Sequence, residues 1–459
     1  MTTLPFPLKR LAVVMMLTLA LGLSVRWALA QTATDTSLRS ASISADQRPN
    51  LSAPLTDTIA YSTYLPLVSH NYPNMTEFRG LWVTRFEWTH FGQTVTTTDL
   101  DAIVDNATAA HFNALLFQIR GTGDAFYSST LEPWSARLTG QPTKTLGVNP
   151  GWDPLTYMIT RAHASGLQVH AYMNVYPTLL CGDTAGPTQT TPLHPFWQWT
   201  YQSDIFAWRE WQNGNPPLPM NLVPASQGGR CSTDGYLWAS PASPIVQSHI
   251  LSVAVDLTTR YDIDGLHLDL VRYSGSTYSS DPATTQAFSD ALQISPTLVY
   301  TAWQPQFQRD QVSSLVAHIY SATTAIKPDL LLSAAVWPNY TSGYNSFFQD
   351  SKGWLANGAL DASMPMLYTS DIVADLAAWI TRTQGFIDDA HGRWVIPGMS
   401  GAYTNFNDLA DRINAARSMG APGVVIFSYS SLVAGNFWAD LANGPFALPA
   451  IVPKPNWKP

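Results

Sequence analysis

The chain has 459 residues and a formal net charge of −8 at pH 7, with only 24 lysine and arginine residues. Because binding to nucleic-acid phosphates needs a basic surface, this charge balance argues against a nucleic-acid partner. Aromatic residues are abundant instead, with 17 Trp and 19 Tyr. Such rings fill protein cores or stack on the apolar faces of sugars.

The first 30 residues have the pattern of a secretory signal peptide. Lys9 and Arg10 precede an apolar run that ends near Leu23, and the sequence Ala-Leu-Ala at 28–30 offers a small-residue cleavage site. An uncleaved N-terminal anchor is the alternative interpretation. The run is shorter than the roughly 18 apolar residues of a membrane helix. We therefore expect a secreted or extracytoplasmic mature chain without a membrane span.

Three further regions follow the predicted signal peptide. Residues 31–75 are rich in Ser, Thr, Asp and Pro and have no sustained hydrophobic period, which predicts a linker. Residues 76–444 alternate strand and helix signals and are predicted to form one α/β domain. Residues 445–459 contain five prolines and are predicted to be a tail.

Eight short apolar runs in the domain predict strands. They are Gly80–Thr84, Ala114–Ile119, Gln168–Val175, Gly265–Val271, Leu330–Val336, Ser363–Leu367, Trp394–Met399 and Val424–Ser428. Strands that alternate with helices indicate a parallel sheet, and eight repeats predict a (β/α)8 TIM barrel. An open doubly wound sheet is the alternative, but its Gly-rich phosphate turn is missing after the first strand.

Helical patterns connect these strands. The clearest covers residues 153–165, where Asp153 is the predicted cap, Pro154 the first helical residue and Gly166 the stop. Further helices are predicted over residues 99–110, 243–260, 303–326, 371–387, 405–419 and 431–441.

The pattern is interrupted by a long insertion after the third strand, over residues 178–242. Loops of this length usually have a function. The insertion holds many aromatic residues and both cysteines of the chain, Cys181 and Cys231. Export favours a disulfide between them, with two free buried thiols as the alternative. We expect a disulfide-pinned wall beside the substrate.

The fourth strand, in the sequence YDIDGLHLDLVRY at 261–273, carries the strongest catalytic signal. Side chains alternate along a strand, so Gly265, His267 and Asp269 share the face opposite three leucines. Burying such polar groups is costly unless they have partners or a function. In a parallel barrel the C-terminal strand ends form the active site. Asp269 is therefore the first catalytic candidate.

Glycosidic bond cleavage needs a second carboxyl group as proton donor, nucleophile or base. Asp371, Asp124 and Glu87 are the other acids at predicted strand ends. Asp371 ranks first because rings near Tyr368 would raise the pKa of its carboxyl group, as an acid catalyst requires. A helix cap is the alternative role for Asp371.

The remaining polar and aromatic residues at strand ends are predicted to bind a sugar substrate, which needs hydrogen-bonding groups and flat rings together. For the two histidines of this set, packing inside the barrel is the alternative. The predicted substrate-binding residues are Arg120, His170, Tyr172, Asn174, His267, Arg272, Tyr273, Trp337, Tyr368 and Tyr403.

Five ordered segments resemble the bacterial glycosyl-hydrolase-like family 10 barrels. They are FRGLWV at 78–83, QIRGTGDAFYSSTLEPWSARLTG at 118–140, GWDPL at 151–155, AHASGLQVHAYMNVY at 162–176 and DGLHLDLVRY at 264–273. The resemblance implies a secreted (β/α)8 glycoside hydrolase. Some members of the group cleave peptidoglycan glycan strands that have been stripped of their peptides.

The resemblance also assigns residues. Asp269 matches the family's strand-four acid, with His267, Arg272 and Tyr273 around it. Asp124 matches the acid of the strand-two loop, and His170 and Asn174 match the strand-three pair. Where many members have a second acid and a proline, Leu270 and Ser274 stand here. That departure leaves the number of catalytic acids open.

The sequence thus predicts a glycoside hydrolase that acts on a poly- or oligosaccharide and needs no metal or cofactor. Two alternatives remain. One is a carbohydrate-binding barrel without catalysis, suggested by the absence of an obvious second carboxyl group. The other is a metal-dependent hydrolase in which His170, His267 and Asp269 bind zinc.

Overall fold

The structure is a computed structural model that describes residues 75–90, 92–140, 145–180, 190–195, 208–209, 218–219, 235–276, 282–295, 305–368 and 372–459. These residues all belong to one compact unit, 70–459. The predicted signal peptide, almost all of the predicted linker, Cys181, Cys231 and Asp371 lie outside the described residues. The predicted disulfide and the role of Asp371 therefore stay predictions.

The fold is built on a curled, parallel sheet of nine strands. The strands are β2 Phe78–Val83, β3 Ala114–Arg120, β4 Gln168–Asn174, β9 Gly265–Asp269, β10 Leu331–Val336, β11 Ala362–Pro365, β12 Trp394–Val395, β13 Gly398–Ser400 and β14 Gly423–Phe427. Their order in the sheet is β12-β11-β10-β9-β4-β3-β2-β14-β13. Each of the eight predicted runs includes residues of these strands, which confirms the prediction of a parallel α/β architecture.

The two edge strands of this sheet, β12 and β13, are consecutive parts of one segment, 394–400. β12 pairs with β11, and β13 pairs with β14. Pro397 separates the two parts because it has no N–H group to donate to a ladder. Around the break, Ile396 donates its N–H to Ser363 and Pro397 accepts from the N–H of Val425. Both edges of the sheet thus lie on one segment.

Six short strands lie outside this sheet. Four of them flank or belong to the insertion, where β5 pairs with β8 and β6 pairs with β7, both antiparallel. The β5–β8 pair joins the two ends of the insertion. The strands are β1 Met75–Thr76, β5 Pro177–Leu180, β6 Trp208–Arg209, β7 Leu218–Pro219, β8 Tyr236–Trp238 and β15 Ala450–Ile451.

Eleven α-helices are seen in the described residues. They are α1 Thr97–Ala109, α2 Pro154–His163, α3 Pro244–Arg260, α4 Pro282–Leu292, α5 Pro305–Ile326, α6 Tyr340–Ser346, α7 Ser351–Ala356, α8 Leu376–Ile387, α9 Phe406–Ser418, α10 Tyr429–Gly435 and α11 Trp438–Asn443. None of them is long and apolar enough to cross a membrane.

The start and stop signals of α2 are confirmed. The carboxylate of Asp153 accepts from the N–H groups of Leu155 and Thr156, and Pro154 occupies the first turn. Gly166 has a φ of +76°, a left-handed conformation that glycine adopts without steric cost.

Two apolar cores lie on opposite faces of the sheet. The inner face buries a small cluster that includes Phe78, Trp82, Leu116, Tyr172 and Met364. The outer face packs against the helices in a much larger cluster. This division follows the alternation of side chains along each strand.

The proline-rich segment 445–459 differs from its prediction as a tail. Its strand β15 pairs in parallel with β1. Trp457 Nε1 donates to Asp361 at 2.7 Å, and Lys458 Nζ lies 2.9 Å from the other oxygen of that carboxylate. Asp361 directly precedes β11, so the segment packs where the strands begin. The sequence pattern missed this packing because the contacts join residues almost 100 positions apart.

Candidate active site

Asp269 ends β9 at the carboxyl edge of the sheet and is partly exposed. Its Oδ2 accepts from the Tyr172 hydroxyl at 2.5 Å, and its Oδ1 accepts from the N–H of Leu270 at 2.6 Å. Leu270 has a φ of +51°, which a non-glycine residue rarely adopts. The chain therefore turns sharply after Asp269, and two donors fix the orientation of its carboxylate.

The tyrosine beside Asp269 stays protonated. Burial, and then the charge of Asp269, raise the pKa of Tyr172 well above its ordinary value. The same two causes raise the pKa of Tyr368. Both phenols therefore remain hydrogen-bond donors at neutral pH, and both lie within electrostatic reach of Asp269.

Three aromatic rings form a platform at this end of the sheet. The rings of Tyr368 and Phe427 stack with centroids 4.8 Å apart and an interplanar angle of 10°. Trp82 meets both rings nearly edge-on, with centroids 6.0 Å away. Tyr368 and Phe427 are partly exposed, so the platform offers ring surface to a ligand.

His267 lies on the inner face of the sheet and accepts a hydrogen bond from Trp82. Trp82 Nε1 donates to His267 Nε2 at 3.0 Å, which makes Nε2 an acceptor. His267 Nδ1 then carries the proton and donates to the Ser333 hydroxyl at 2.9 Å. Burial, followed by the charge of His170, lowers the pKa of His267 well below its ordinary value. His267 is thus a fully buried neutral residue beneath the platform.

His170 also lies in the interior. Its ring is fully buried and its Nε2 lies 3.2 Å from the Gln168 side-chain oxygen. Burial lowers its pKa to about 4. A Cβ at position 265 would lie 2.1 Å from its Nδ1, so this packing requires Gly265. For both histidines the structure favours the packing role over the predicted substrate contact.

The zinc alternative finds little support in this arrangement. Both nitrogens of His267 are engaged, by Trp82 and Ser333, so neither lone pair points to an open position. Across the described residues, no group of three His, Cys, Asp or Glu side chains has the spacing of a metal site.

A chain of amide groups links the ends of β2, β3 and β4. Gln118 accepts from the Arg85 guanidinium at 3.1 Å and donates to Asn174 Oδ1 at 3.0 Å. Asn174 in turn donates to the Gly121 carbonyl at 3.0 Å. Asn174 is 1 % exposed, and its amide positions the neighbouring loops. The substrate contact predicted for Asn174 stays a prediction.

Arg120 is a correction to the predicted substrate-binding set. Its guanidinium forms a fully buried, bidentate ion pair with Glu132, with Nη2 2.7 Å from Oε1. Although burial alone would raise the pKa of Glu132, the charges of Arg120 and His249 lower it to about 2. The pair stabilises the loop after β3 and is not accessible to a substrate.

Two other acids were predicted at strand ends, at the carboxyl edge of the sheet, which we call the mouth. Both accept hydrogen bonds that fix the surrounding loops. Asp124 accepts from the Thr122 N–H at 2.8 Å and is 8 % exposed. Glu87 accepts from the N–H groups of Thr84 and Ser430, at 2.6 and 2.7 Å. Glu87 thereby joins the loop after β2 to the start of α10.

Arg272 lies in a cage of three aromatic rings. Its guanidinium carbon is 5.0 Å from the ring of Trp238, 5.2 Å from that of Trp337 and 4.8 Å from that of Phe347. Arg272 is 3 % exposed. Trp337 and Phe347 are both partly exposed, so these two rings of the cage can reach a ligand.

Two predicted tyrosines lie away from the platform. Tyr273 is 1 % exposed and packs edge-on against Phe348. Tyr403 belongs to the outer core, where its ring covers the Arg412 guanidinium at 4.5 Å. The loop after β13 directs this ring toward α9, and the substrate contact predicted for Tyr403 stays a prediction.

Sequence reasoning gave no role to Trp82, Phe427 and Arg85, which the structure places around Asp269. The alternation of Phe78, Gly80 and Trp82 along β2 was the available signal for Trp82. Arg85 directly follows the first strand, and its position at a strand end was the signal for it.

The family model of glycosyl hydrolase-like 10 matches residues 77–389, more than half of the chain. The chain belongs to the glycosyl hydrolase-like 10 family. The resemblance found in five sequence segments is thus confirmed.

Two curated relatives of this glycosyl hydrolase-like 10 protein are glycosyl hydrolases. DigH from Escherichia coli K12 is 26% identical over 281 residues, which cover 58% of this chain and 56% of DigH. YngK from Bacillus subtilis 168 is 26% identical over 303 residues, which cover 60% of this chain and 51% of YngK. The matches thus span just over half the length of these relatives.

A solved structure supports the fold of this glycosyl hydrolase-like 10 chain. The glycoside hydrolase domain of PgaB (BpsB) from Bordetella bronchiseptica aligns with a TM-score of 0.54 and 12% identity. The alignment covers 80% of this chain and 98% of that domain. At this identity the likeness concerns the fold, an α/β architecture of the glycosidase type.

Proposed function

We propose that this protein is a secreted glycoside hydrolase that cleaves O-glycosidic bonds of a poly- or oligosaccharide in a closed (β/α)8 barrel. One observation carries the proposal. Asp269 lies at a strand end, held by the Tyr172 hydroxyl and the Leu270 N–H, next to an aromatic platform. Family membership supports the reaction class, and the shared segment 394–400 supports closure of the barrel.

Asp269 is assigned the role of nucleophile or general base. Hydrogen bonds donated to a carboxylate favour its ionised form, and both oxygens of Asp269 accept one. Glycoside hydrolysis needs an ionised carboxylate on one side of the scissile bond and a protonated carboxyl on the other. Asp269 fits the first requirement.

Asp371 is proposed as the proton donor to the leaving oxygen. It follows Tyr368 by three residues in the sequence, and Tyr368 is a member of the platform. Asp124 is the weaker candidate because one of its oxygens already accepts from Thr122. Peptidoglycan strands without peptides are the proposed substrate class, which rests on the family resemblance.

A non-catalytic carbohydrate-binding barrel is the second candidate function. Among the described residues, the other acids predicted at strand ends, Asp124 and Glu87, both accept from backbone N–H groups of loops or helix starts, Asp124 from Thr122 and Glu87 from Ser430. This arrangement would leave the aromatic platform to bind a sugar without cleavage.

The test is mass analysis of products from a glycan panel that includes peptide-free peptidoglycan. Asp269→Asn should lower turnover by about 10²–10⁴-fold, the range for loss of a positioned acid–base group. Asp262→Asn is the matched control, because Asp262 precedes the same strand at its opposite end and pairs with Lys327 on the surface. Equal product release by the parent and Asp269→Asn would exclude catalysis by Asp269.

Secretion is tested separately by sequencing the N-terminus of the exported chain. A new N-terminus at Gln31 is expected. A chain that keeps Met1 and stays with the cells would contradict the proposed signal peptide.

A further inference from the structure

Arg85 is a buried cation whose hydrogen-bond partners among the described residues are all neutral. It is 4 % exposed. Its Nη1 donates to the amide oxygen of Gln118 at 3.1 Å, and its Nη2 donates to the hydroxyl of Tyr236 at 3.0 Å. A guanidinium removed from water is costly unless an anion compensates its charge. Within the described part of the chain no carboxylate pairs with Arg85, so a bound anion can supply this compensation.

Two other buried arginines of the described residues have carboxylate partners. Arg79 pairs with Glu77, and Arg120 pairs with Glu132. Two more donate to neutral groups, as Arg85 does. Arg309 donates to the Tyr344 carbonyl and to the Gln306 side chain within helix α5, and Arg412 donates to the carbonyls of Asp408 and Val373. What distinguishes Arg85 is its place at the mouth of the sheet.

Tyr172, which interacts with both Arg85 and Asp269, indicates how these two side chains are placed. The charges of both side chains act on the Tyr172 hydroxyl, and that hydroxyl donates to Asp269. Arg85 also directly follows Thr84 at the carboxyl end of β2. Gln118, which accepts from Arg85, pairs with Tyr172 in the register of β3 and β4. These two neighbours connect Arg85 to Asp269 at the carboxyl edge of the sheet, where a bound sugar would lie.

A second cation concentrates positive charge at this corner. The guanidinium carbons of Arg85 and Arg137 lie 4.1 and 4.7 Å from the ring centroid of Phe86, which is 44 % exposed. Burial, and then the charge of Arg85, lower the pKa of Arg137 to about 10, and the charge of Asp124 opposes this shift. On a chain with a net charge of −8, this local charge would attract an anionic group that the rest of the surface repels.

We propose that Arg85 binds the carboxylate of an acidic sugar residue and so selects glycans that carry a carboxyl group close to the scissile bond. The inference rests on the proposed function for the position of the scissile bond. The planar guanidinium fork matches a carboxylate in shape and charge. A uronic acid and the lactyl ether of a muramyl residue both offer this group.

The test measures binding to the Asp269→Asn protein, so that it does not depend on turnover. The ligands are an oligogalacturonate and a peptide-free muramyl oligosaccharide, each compared with its carboxyl-reduced alcohol by calorimetry. We expect reduction to weaken binding of at least one of them by about 10–100-fold, the effect of losing charge-assisted hydrogen bonds. The ligand that shows this loss identifies the source of the carboxylate.

Arg85→Gln in the same background should remove the preference, so that the acid and its alcohol bind equally. Arg309→Gln is the matched control and should keep the preference, because it removes a similar buried arginine whose contacts are with Gln306 and Tyr344 and not with Gln118 or Tyr236. If Arg85→Gln does not fold, Arg85→Lys decides, since it keeps the charge and loses the fork; the preference should then fall several-fold.

Three outcomes would overturn the proposal. The first is that the Asp269→Asn protein binds acid and alcohol equally. The second is that Arg85→Gln weakens the binding of both ligands by the same factor. The third is that the preference for the acid is unchanged in Arg85→Gln or Arg85→Lys. Equal loss of both would show that Arg85 only positions Tyr172 and Asp269. If the unmodified protein prefers the acid but releases no products from the glycan panel, the proposed hydrolysis is refuted and the proposed role of Arg85 still stands.

Discussion

At the end of the sheet where the strands begin, the carboxylate of Asp361 accepts from two cations, Arg393 and Lys458, at 3.0 and 2.9 Å. At the end where the strands finish, the carboxylate of Asp269 accepts from a phenol and a backbone N–H. Asp361 is fully buried, whereas Asp269 is partly exposed. The same side chain thus has different surroundings at the two ends of neighbouring strands.

This difference separates charged side chains that stabilise the fold from charged side chains that are placed for chemistry. At the bottom, Glu77 likewise pairs with Arg79 and Arg417, both at 2.7 Å. Charges paired in this way contribute to the fold and are not available to a ligand. At the mouth, Asp269 accepts from the Tyr172 hydroxyl and the Leu270 N–H, and Arg85 donates to Gln118 and Tyr236, so neutral groups orient both side chains. Such groups can still exchange a neutral partner for a substrate.

The largest effect on stability is expected at the end of the sheet where the strands begin. Asp361→Asn keeps the size of the side chain but leaves Arg393 and Lys458 without their anion. Breaking a buried ion pair in this way should lower the free energy of unfolding by about 3–5 kcal/mol. Denaturant unfolding of the variant measures this loss, and turnover per folded molecule should be unchanged.

Asp375→Asn is the control for that experiment. Asp375 is exposed and caps α8 by accepting from the Ala378 N–H at 3.0 Å. Asparagine caps a helix about as well as aspartate, so stability should hardly change. A loss at Asp361 no larger than that at Asp375 would show that the bottom ion pairs do not stabilise the fold.

At the mouth, Tyr172→Phe should reduce activity more than stability. The variant removes the hydroxyl that orients Asp269, a hydrogen bond to a charged group worth about 1.5–3 kcal/mol. We expect kcat/KM to fall by about 10–100-fold. Steady-state kinetics on the cleaved glycan, with the melting temperature measured in parallel, test the prediction.

Tyr176→Phe is the matched control for Tyr172. The Tyr176 hydroxyl is buried and makes no hydrogen bond with any residue that the structure describes. Its removal should leave both activity and stability nearly unchanged. Equal kinetic effects in the two variants would mean that the contact with Asp269 has no catalytic role.

The smallest effect concerns the buried histidines between the two ends. The pKa of His170 is about 4 in the folded chain and about 6.5 when unfolded. Because the folded value is the lower one, protonation favours unfolding. The stability contributed by neutral His170 is complete above pH 6.5 and is lost as the pH falls toward 4.

The expected slope is about 1.4 kcal/mol per pH unit for each such histidine. Urea unfolding between pH 6 and 5, above the range in which carboxylates titrate, measures it. His170→Gln should reduce the slope by that amount, whereas His391→Gln, at an exposed position, should not change it. A slope that His170→Gln leaves unaltered would contradict the buried neutral state of His170.

Much of the fold could be predicted from local patterns. The eight apolar runs contain the strands of the sheet, and Asp153, Pro154 and Gly166 mark the ends of α2. The alternation at 265–269 correctly placed His267 and Asp269 on one face, the inner one. These predictions hold because side-chain period and capping depend on residues a few positions apart.

The candidate site was predicted less completely. Arg120 and Tyr403 have residue types suited to sugar binding, yet one pairs with Glu132 and the other packs on Arg412. Trp82 gained its position from His267, which is 185 residues away. A residue at a strand end can turn toward the mouth or toward a helix, and local sequence does not distinguish these orientations.

The sequence by itself determined the strand and helix pattern, the family and the acid that ends the fourth strand. Only the tertiary structure decided which charged groups are neutralised and which are merely oriented. The physical reason is distance: electrostatic and hydrogen-bond energies depend on separations of a few ångströms, and folding sets those separations between residues as remote as Asp361 and Lys458.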